Sequence, residues 1–193
     1  MSAHERLRVF VGLELPPAVR DAIEEVAARW QPTLAGFRWG RPEDLHVTLA
    51  FLGGVDAEDL EAIDGRLTTT AAGISPFATR LADLGRFPPE GRARVLWVGL
   101  DDAETRIADL AAAVRTGLAS WLEPEERPLQ PHVTIARARR PARVPRDLVG
   151  DRPAPVGFEV RAITLFRSHL GQGAPHYEVL ARRALGARAA ELP

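Results

Sequence analysis

The sequence contains neither cysteine nor lysine. The first absence excludes disulfides, a thiol nucleophile and thiolate metal sites. The second excludes a lysine nucleophile or Schiff base, so all 25 basic residues are arginine, set against 26 acidic ones. The resulting net charge of −1 provides no global positive field to draw the chain onto nucleic acid. Aromatic residues are few, at 6%, and are not interleaved with basic ones in the manner of a single-strand binding platform. No run approaches about 18 apolar residues, the length a membrane helix needs. The opening MSAHERLRVF lacks the basic start, apolar centre and small-residue cleavage site of a secretory signal. These absences lead us to expect a cytoplasmic protein with no membrane attachment. With 193 residues, 46% of them hydrophobic, the chain can bury a proper core.

What the chain does have is one short stretch written twice: His46-Val47-Thr48-Leu49 and His132-Val133-Thr134-Ile135. Side chains alternate across a strand, so each copy shows an imidazole and a hydroxyl on one face and apolar groups on the other. The histidines are 86 residues apart. Around them the context repeats as well. RLRVFVGLEL, a helix and HVTLAF are followed by a strand with Phe77; RARVLWVGLD, a helix and HVTIAR are followed by a strand with Phe158. The repeat predicts an α+β fold of duplicated strand–helix–strand units, about 6–85 and 93–168, within one domain spanning 1–193. A pseudo-two-fold would pair the motif strands across a groove with both histidines facing in.

Periodicity fills in the elements. Strands are expected over 6–14, 45–52, 77–84, 94–100, 131–137, 156–167 and 176–183. A first helix starts at Pro16-Pro17 and carries Val19, Ile23, Val26 and Trp30 at helical spacing. A second is capped by Asp56 and carries Leu60, Ile63 and Leu67. A third, about 103–121, is capped by Asp102. The stretch 139–155 reads as a loop by its prolines and charges, and the last ten residues as frayed. Trp30, Trp97 and Trp121 fall at core positions, and Phe51, five residues past His46, is read as core packing. His4, His169 and His176 are expected at the surface, with Tyr177 and Ser168 as possible groove residues.

The chain resembles the 2H phosphoesterase superfamily, whose mark is a pair of His-x-Thr/Ser-x motifs. Within it the chain is similar to the RNA 2′,3′-cyclic phosphodiesterases, formerly called 2′–5′ RNA ligases. The resemblance runs from RLRVFVGLELP through LHVTLAFLG and PHVTIAR to LFRSHLGQGAPHYEVLAR. It implies a bilobal fold, two antiparallel sheets flanking a central groove, and hydrolysis of RNA 2′,3′-cyclic phosphate ends to 2′-phosphomonoesters. It also implies His46 as proton donor, His132 as proton acceptor and an arginine, here Arg137, beside the second motif.

The chemistry of the motif points the same way. Opening a cyclic phosphodiester needs a base for water, an acid for the leaving alkoxide and donors for the phosphoryl oxygens. Two histidines supply the first two, each worth about 10²–10⁴-fold, and Thr48 and Thr134 supply the third. No cofactor is called for. The expected partner is an RNA with a cyclic phosphate end, or a small cyclic nucleotide, bound by a monomer. Two alternatives stay open: a metal-dependent phosphohydrolase using the two histidines, or a non-catalytic module that binds RNA ends. Arg137 poses a geometric problem. By strict alternation it falls with Val133 and Ile135 on the core face, where a guanidinium without a partner is costly. Either the strand bulges near Ala136 and returns the side chain to the groove, or the side chain reaches out to a surface carboxylate.

Overall fold

The computed structural model describes residues 6–102, 104–123, 129–169 and 175–186. Among these residues nine strands run antiparallel: β1 (Arg6–Glu14), β2 (Phe37–Trp39), β3 (His46–Asp56), β4 (Phe77–Phe87), β5 (Ala93–Leu100), β6 (His132–Ala142), β7 (Gly157–Val160), β8 (Ala162–His169) and β9 (His176–Ala184). Three helices accompany them: α1 (Pro17–Trp30), α2 (Leu60–Ala72) and α3 (Arg106–Gly117). The strand order is β7-β4-β5-β6-β3-β1-β8-β9, with β2 on β6. At the centre the two motif strands meet through a single residue pair, Val47 opposite Val133. Two antiparallel halves thus join at one point, directly behind the histidines.

Each half draws strands from both sequence repeats. β4 leaves the first repeat to pair with β5 and β7, while β8 leaves the second to pair with β1 and β9. The reason lies in which edge is free. β3 and β6 occupy the inner edges of their own units, so the next strand must find an outer edge, and each finds the other unit's.

The helices bury one stripe each, as their periodicity requires. Val19, Ile23 and Val26 of α1, Ile63 and Leu67 of α2, and Ile107, Leu110 and Val114 of α3 are almost fully enclosed. They merge with the inward faces of the strands into one core. No helix among the described residues is long and apolar enough to cross a membrane.

Several boundaries differ from expectation. The second helix begins at Leu60, after a 3₁₀ turn over Ala57–Asp59, and Asp56 makes no side-chain cap there. The third is shorter than 103–121: it begins at Arg106 because Thr105 turns left-handed at φ 57°. Asp102 still serves it, its carboxylate accepting the N–H groups of Ile107 and Ala108 at 2.8 and 3.0 Å. β6 runs on through 139–142, expected as loop, because Ala142 still pairs with Ala93. The strand expected over 156–167 is two, divided at Arg161. Periodicity does not reveal β2, since three residues are too few for a period to show. His4 and residues 187–193 lie outside the described residues, whereas Ala184 ends β9 and Leu185 is buried rather than frayed.

Candidate active site

Both motif strands bulge at the same place. Along β1 and β3 the register steps from Gly12 opposite Thr48 to Val11 opposite Ala50, leaving Leu49 as the extra residue. Along β5 and β6 it steps from Trp97 opposite Thr134 to Leu96 opposite Ala136, leaving Ile135 extra. A bulge reverses the alternation beyond it. Accordingly Leu49 and Ala50, and likewise Ile135 and Ala136, are buried in succession. The next residue in each strand, Phe51 or Arg137, is turned outward. This resolves the Arg137 problem, since the bulge returns the guanidinium to the groove face. It also corrects Phe51, which is 45% exposed, with the Arg8 guanidinium 4.4 Å from its ring centre, and is no core residue.

A cavity of about 340 Å³ opens between the halves. His46, Thr48, His132, Thr134 and Arg137 all line it, so the five residues singled out from sequence come together. Tyr177 joins them, whereas Ser168, its register neighbour, is not among the lining residues. Sequence reasoning missed Arg38, Trp39, Arg41, Asp44 and Arg139. Their only signal was position: 38–44 lies immediately before the first motif and Arg139 two residues after Arg137.

The two imidazoles are fixed alike. His46 Nδ1–H donates to the carbonyl of Asp44 at 2.7 Å, and His132 Nδ1–H to that of Gln130 at 2.7 Å. A carbonyl oxygen can only accept, so the proton is on Nδ1 in both rings and Nε2 is left to act. Aromatic rings hold the planes. Phe10 and Tyr177 lie against His46, centroids 4.7 and 4.8 Å away. Phe87 and Trp97 lie against His132 at 5.2 and 6.0 Å. Trp97, expected at a core position, is instead half-buried opposite Thr134 and lies beside the site, outside the core cluster. Trp30, packed on the core as expected, gives its indole N–H to Asp151 at 2.8 Å.

Burial is the main reason both histidines titrate below the ordinary imidazole value of 6.5. The backbone hydrogen bonds work against that shift, and the positive charge of Arg137 adds to it at both rings. Burial likewise pushes the Tyr177 phenol up. Arg137 stands within 3.5 Å of the Thr134 hydroxyl. A neutral imidazole with a free Nε2 beside a hydroxyl, present twice and served by one guanidinium, can pass protons on both sides of a bound anion. Among the described residues no group of three or more His, Cys, Asp or Glu side chains could hold a metal ion. His169 and His176 lie at the surface, as expected, the former bonded to Glu178 at 2.8 Å.

The chain is similar to known proteins in sequence and in fold. The family model of the 2′-5′ RNA ligase superfamily matches residues 15–172. A Thermus thermophilus protein named RNA 2′,3′-cyclic phosphodiesterase is 35% identical over 190 residues, covering 93% of this chain and 90% of its own. An Escherichia coli protein of the same name is 32% identical, covering 94% and 98%. Among solved structures, TT0787 of Thermus thermophilus superposes with a TM-score of 0.79 at 32% identity, covering 93% of this chain and 98% of that one. Escherichia coli LigT complexed with 3′-AMP superposes with a TM-score of 0.74 at 28% identity, covering 95% and 100%. With a matching family model over most of its length and relatives above 30% identity end to end, the chain belongs to the 2′-5′ RNA ligase superfamily.

Proposed function

We propose that the protein hydrolyses RNA 2′,3′-cyclic phosphate ends to 2′-phosphomonoesters by acid–base catalysis between two histidines, without a metal. The observation that carries this is the pair of Nδ1-anchored imidazoles, each with a threonine two residues on, lining one cavity. The relatives' shared name supplies the substrate.

In the reaction a water oxygen attacks phosphorus as the bond to the 3′ oxygen breaks on the opposite side. His132 Nε2 takes the water proton, and His46, protonated, gives one to the departing 3′ oxygen. Water is consumed, and a 2′-phosphate and a 3′ hydroxyl result. Thr48 and Thr134 donate to the non-bridging oxygens, and Arg137 offers a planar fork to the same charge. An in-line displacement needs acid and base on opposite sides of phosphorus, and the presence of both histidines in the lining of one cavity supports that reading.

The test is incubation with an RNA bearing a 2′,3′-cyclic phosphate end, with and without a chelator, followed by identification of the product. A 2′-phosphate formed at an undiminished rate in chelator is expected. Loss of turnover on chelation, restored by a divalent cation, would turn the reading to a metallohydrolase. A 3′-phosphate product would exchange the roles of the two histidines.

A further inference from the structure

The pseudo-two-fold is obeyed at the histidines, at the anchoring carbonyls and at the bulges, and it is broken directly beneath the rings. The residue whose carbonyl holds His46 is Asp44; its counterpart beneath His132 is Gln130, an uncharged amide. Asp44 is no loose surface acid, for only 8% of its side chain is exposed. Arg41 Nε–H donates to its Oδ2 at 2.7 Å. The backbone N–H of Tyr177 donates to Oδ1 at 3.3 Å, and His176 Nδ1 lies 3.5 Å from the same oxygen. The carboxylate therefore ties the segment before β3 to the start of β9, and lines the cavity itself.

We propose that Asp44 is the positioning residue that decides which of the two histidines carries the proton, making His46 the acid and leaving His132 the base. The inference rests on the two-histidine reading above. A pair of imidazoles sharing one proton has two arrangements, and a symmetric site would populate them equally. Only the arrangement with the proton on His46 can protonate the leaving 3′ oxygen. A carboxylate acting on His46, with none among the described residues acting on His132, favours that arrangement against the burial that disfavours a proton on either ring.

The charges facing His46 come from three elements. Asp44 precedes its own strand, Arg137 and His132 face it from β6, and the Tyr177 phenol stands against it from β9. Arg137 and His132 oppose a proton on His46; Asp44 alone among these favours it. Arg137 opposes a proton on His132 too, so it does not choose between the rings. Arg41 does not cancel the choice: its guanidinium is half exposed and divided among Asp44, Glu43 and the His176 ring.

The experiment follows both imidazoles by NMR through a pH titration of the free protein. Wild type is compared with Asp44→Asn, which keeps one side-chain oxygen, for Arg41 or for the Tyr177 N–H but not for both, and with Gln130→Glu, which leaves the Asp44 cluster untouched. The pH dependence of kcat/KM on a cyclic-phosphate RNA is measured alongside. Activity needs His46 protonated, so lowering its affinity for a proton moves the basic limb to lower pH. For Asp44→Asn we expect the His46 titration and the basic limb to fall, with about a threefold loss of kcat/KM above that limb, while the acidic limb holds. For Gln130→Glu we expect the His132 titration to rise and the acidic limb with it.

Movement of the His132 titration alone in Asp44→Asn, or of neither ring, overturns the inference. So does a Gln130→Glu protein with an unchanged His132, which keeps the test decisive if Asp44→Asn folds poorly. Should wild type fail to open cyclic phosphates, the functional reading falls, yet the NMR titrations still decide whether Asp44 biases the proton.

Discussion

The two histidines have matching backbone anchors and, in the proposed reaction, different tasks, so their replacement is informative in combination. His46→Ala and His132→Ala should each reduce turnover by several orders of magnitude with the fold retained. The double variant should be little worse than either single one, because acid and base act as a unit. A single variant that keeps more than about a tenth of the wild-type rate would contradict the assignment. Arg137 calls for a subtler substitution. Arg137→Lys preserves the charge and removes the fork, so a phosphate clamp should lose much of kcat/KM at unchanged melting temperature. Were Arg137 structural, the variant would instead melt earlier and its folded fraction would turn over normally. These residues were legible because a repeat 86 residues apart makes two ordinary histidines improbable as accidents. Asp44 was not, since its meaning lies in contrast with Gln130, and that contrast emerges only when both carbonyls are seen holding imidazoles.

At the scale of elements, glycine separates what is crowded from what is merely permitted. The Trp97 ring lies across Gly85, so a Cβ there would fall 2.1 Å from it. Gly85→Ala must push the indole aside, and the indole is one of the two rings beside His132. Overpacking of this kind costs about 1–3 kcal/mol, so the variant should melt lower and lose turnover together. Gly65, inside α2, meets nothing within 4 Å. There Gly65→Ala should raise stability by about 0.5–1 kcal/mol through helix propensity alone, with turnover unchanged. Thermal melts of the two variants, expected to shift in opposite directions, check both claims. Sequence periodicity locates the motif strands well and misjudges the residues just beyond the motifs. Strict alternation buries Phe51 and Arg137; the bulges at Leu49 and Ile135 expose both. A single extra residue leaves no compositional trace, which is why the sequence could pose the Arg137 problem and not solve it.

At the scale of the whole molecule, the candidate active site sits where the two halves touch, and each half is completed by a strand from the other repeat. The repeat is visible in the sequence, but the exchange of β4 and β8 is not, because pairing partners are a property of edges and not of composition. Such a site has a cost in stability that depends on pH. Both histidines bind a proton less readily in the folded chain than in the unfolded one, chiefly because of burial. Stability rises with pH wherever the unfolded state holds more protons. Their contribution is therefore intact above the unfolded value of about 6.5 and is lost progressively as pH falls towards the lower folded values. Glu14 acts in a separate window. Its carboxyl is held below the ordinary glutamate value of 4.5, first by the hydrogen bond from Arg182, so its contribution goes only in stronger acid. Denaturant titrations at pH 7.5 and 5.5 should thus show wild type weakening between the two, well before the carboxylates protonate. A His46→Gln/His132→Gln variant should weaken less over the same interval, since neither state then titrates there. Parallel losses in both proteins would mean that the imidazoles are not held neutral by the fold, and the claim that burial poises them for proton transfer would fail with it.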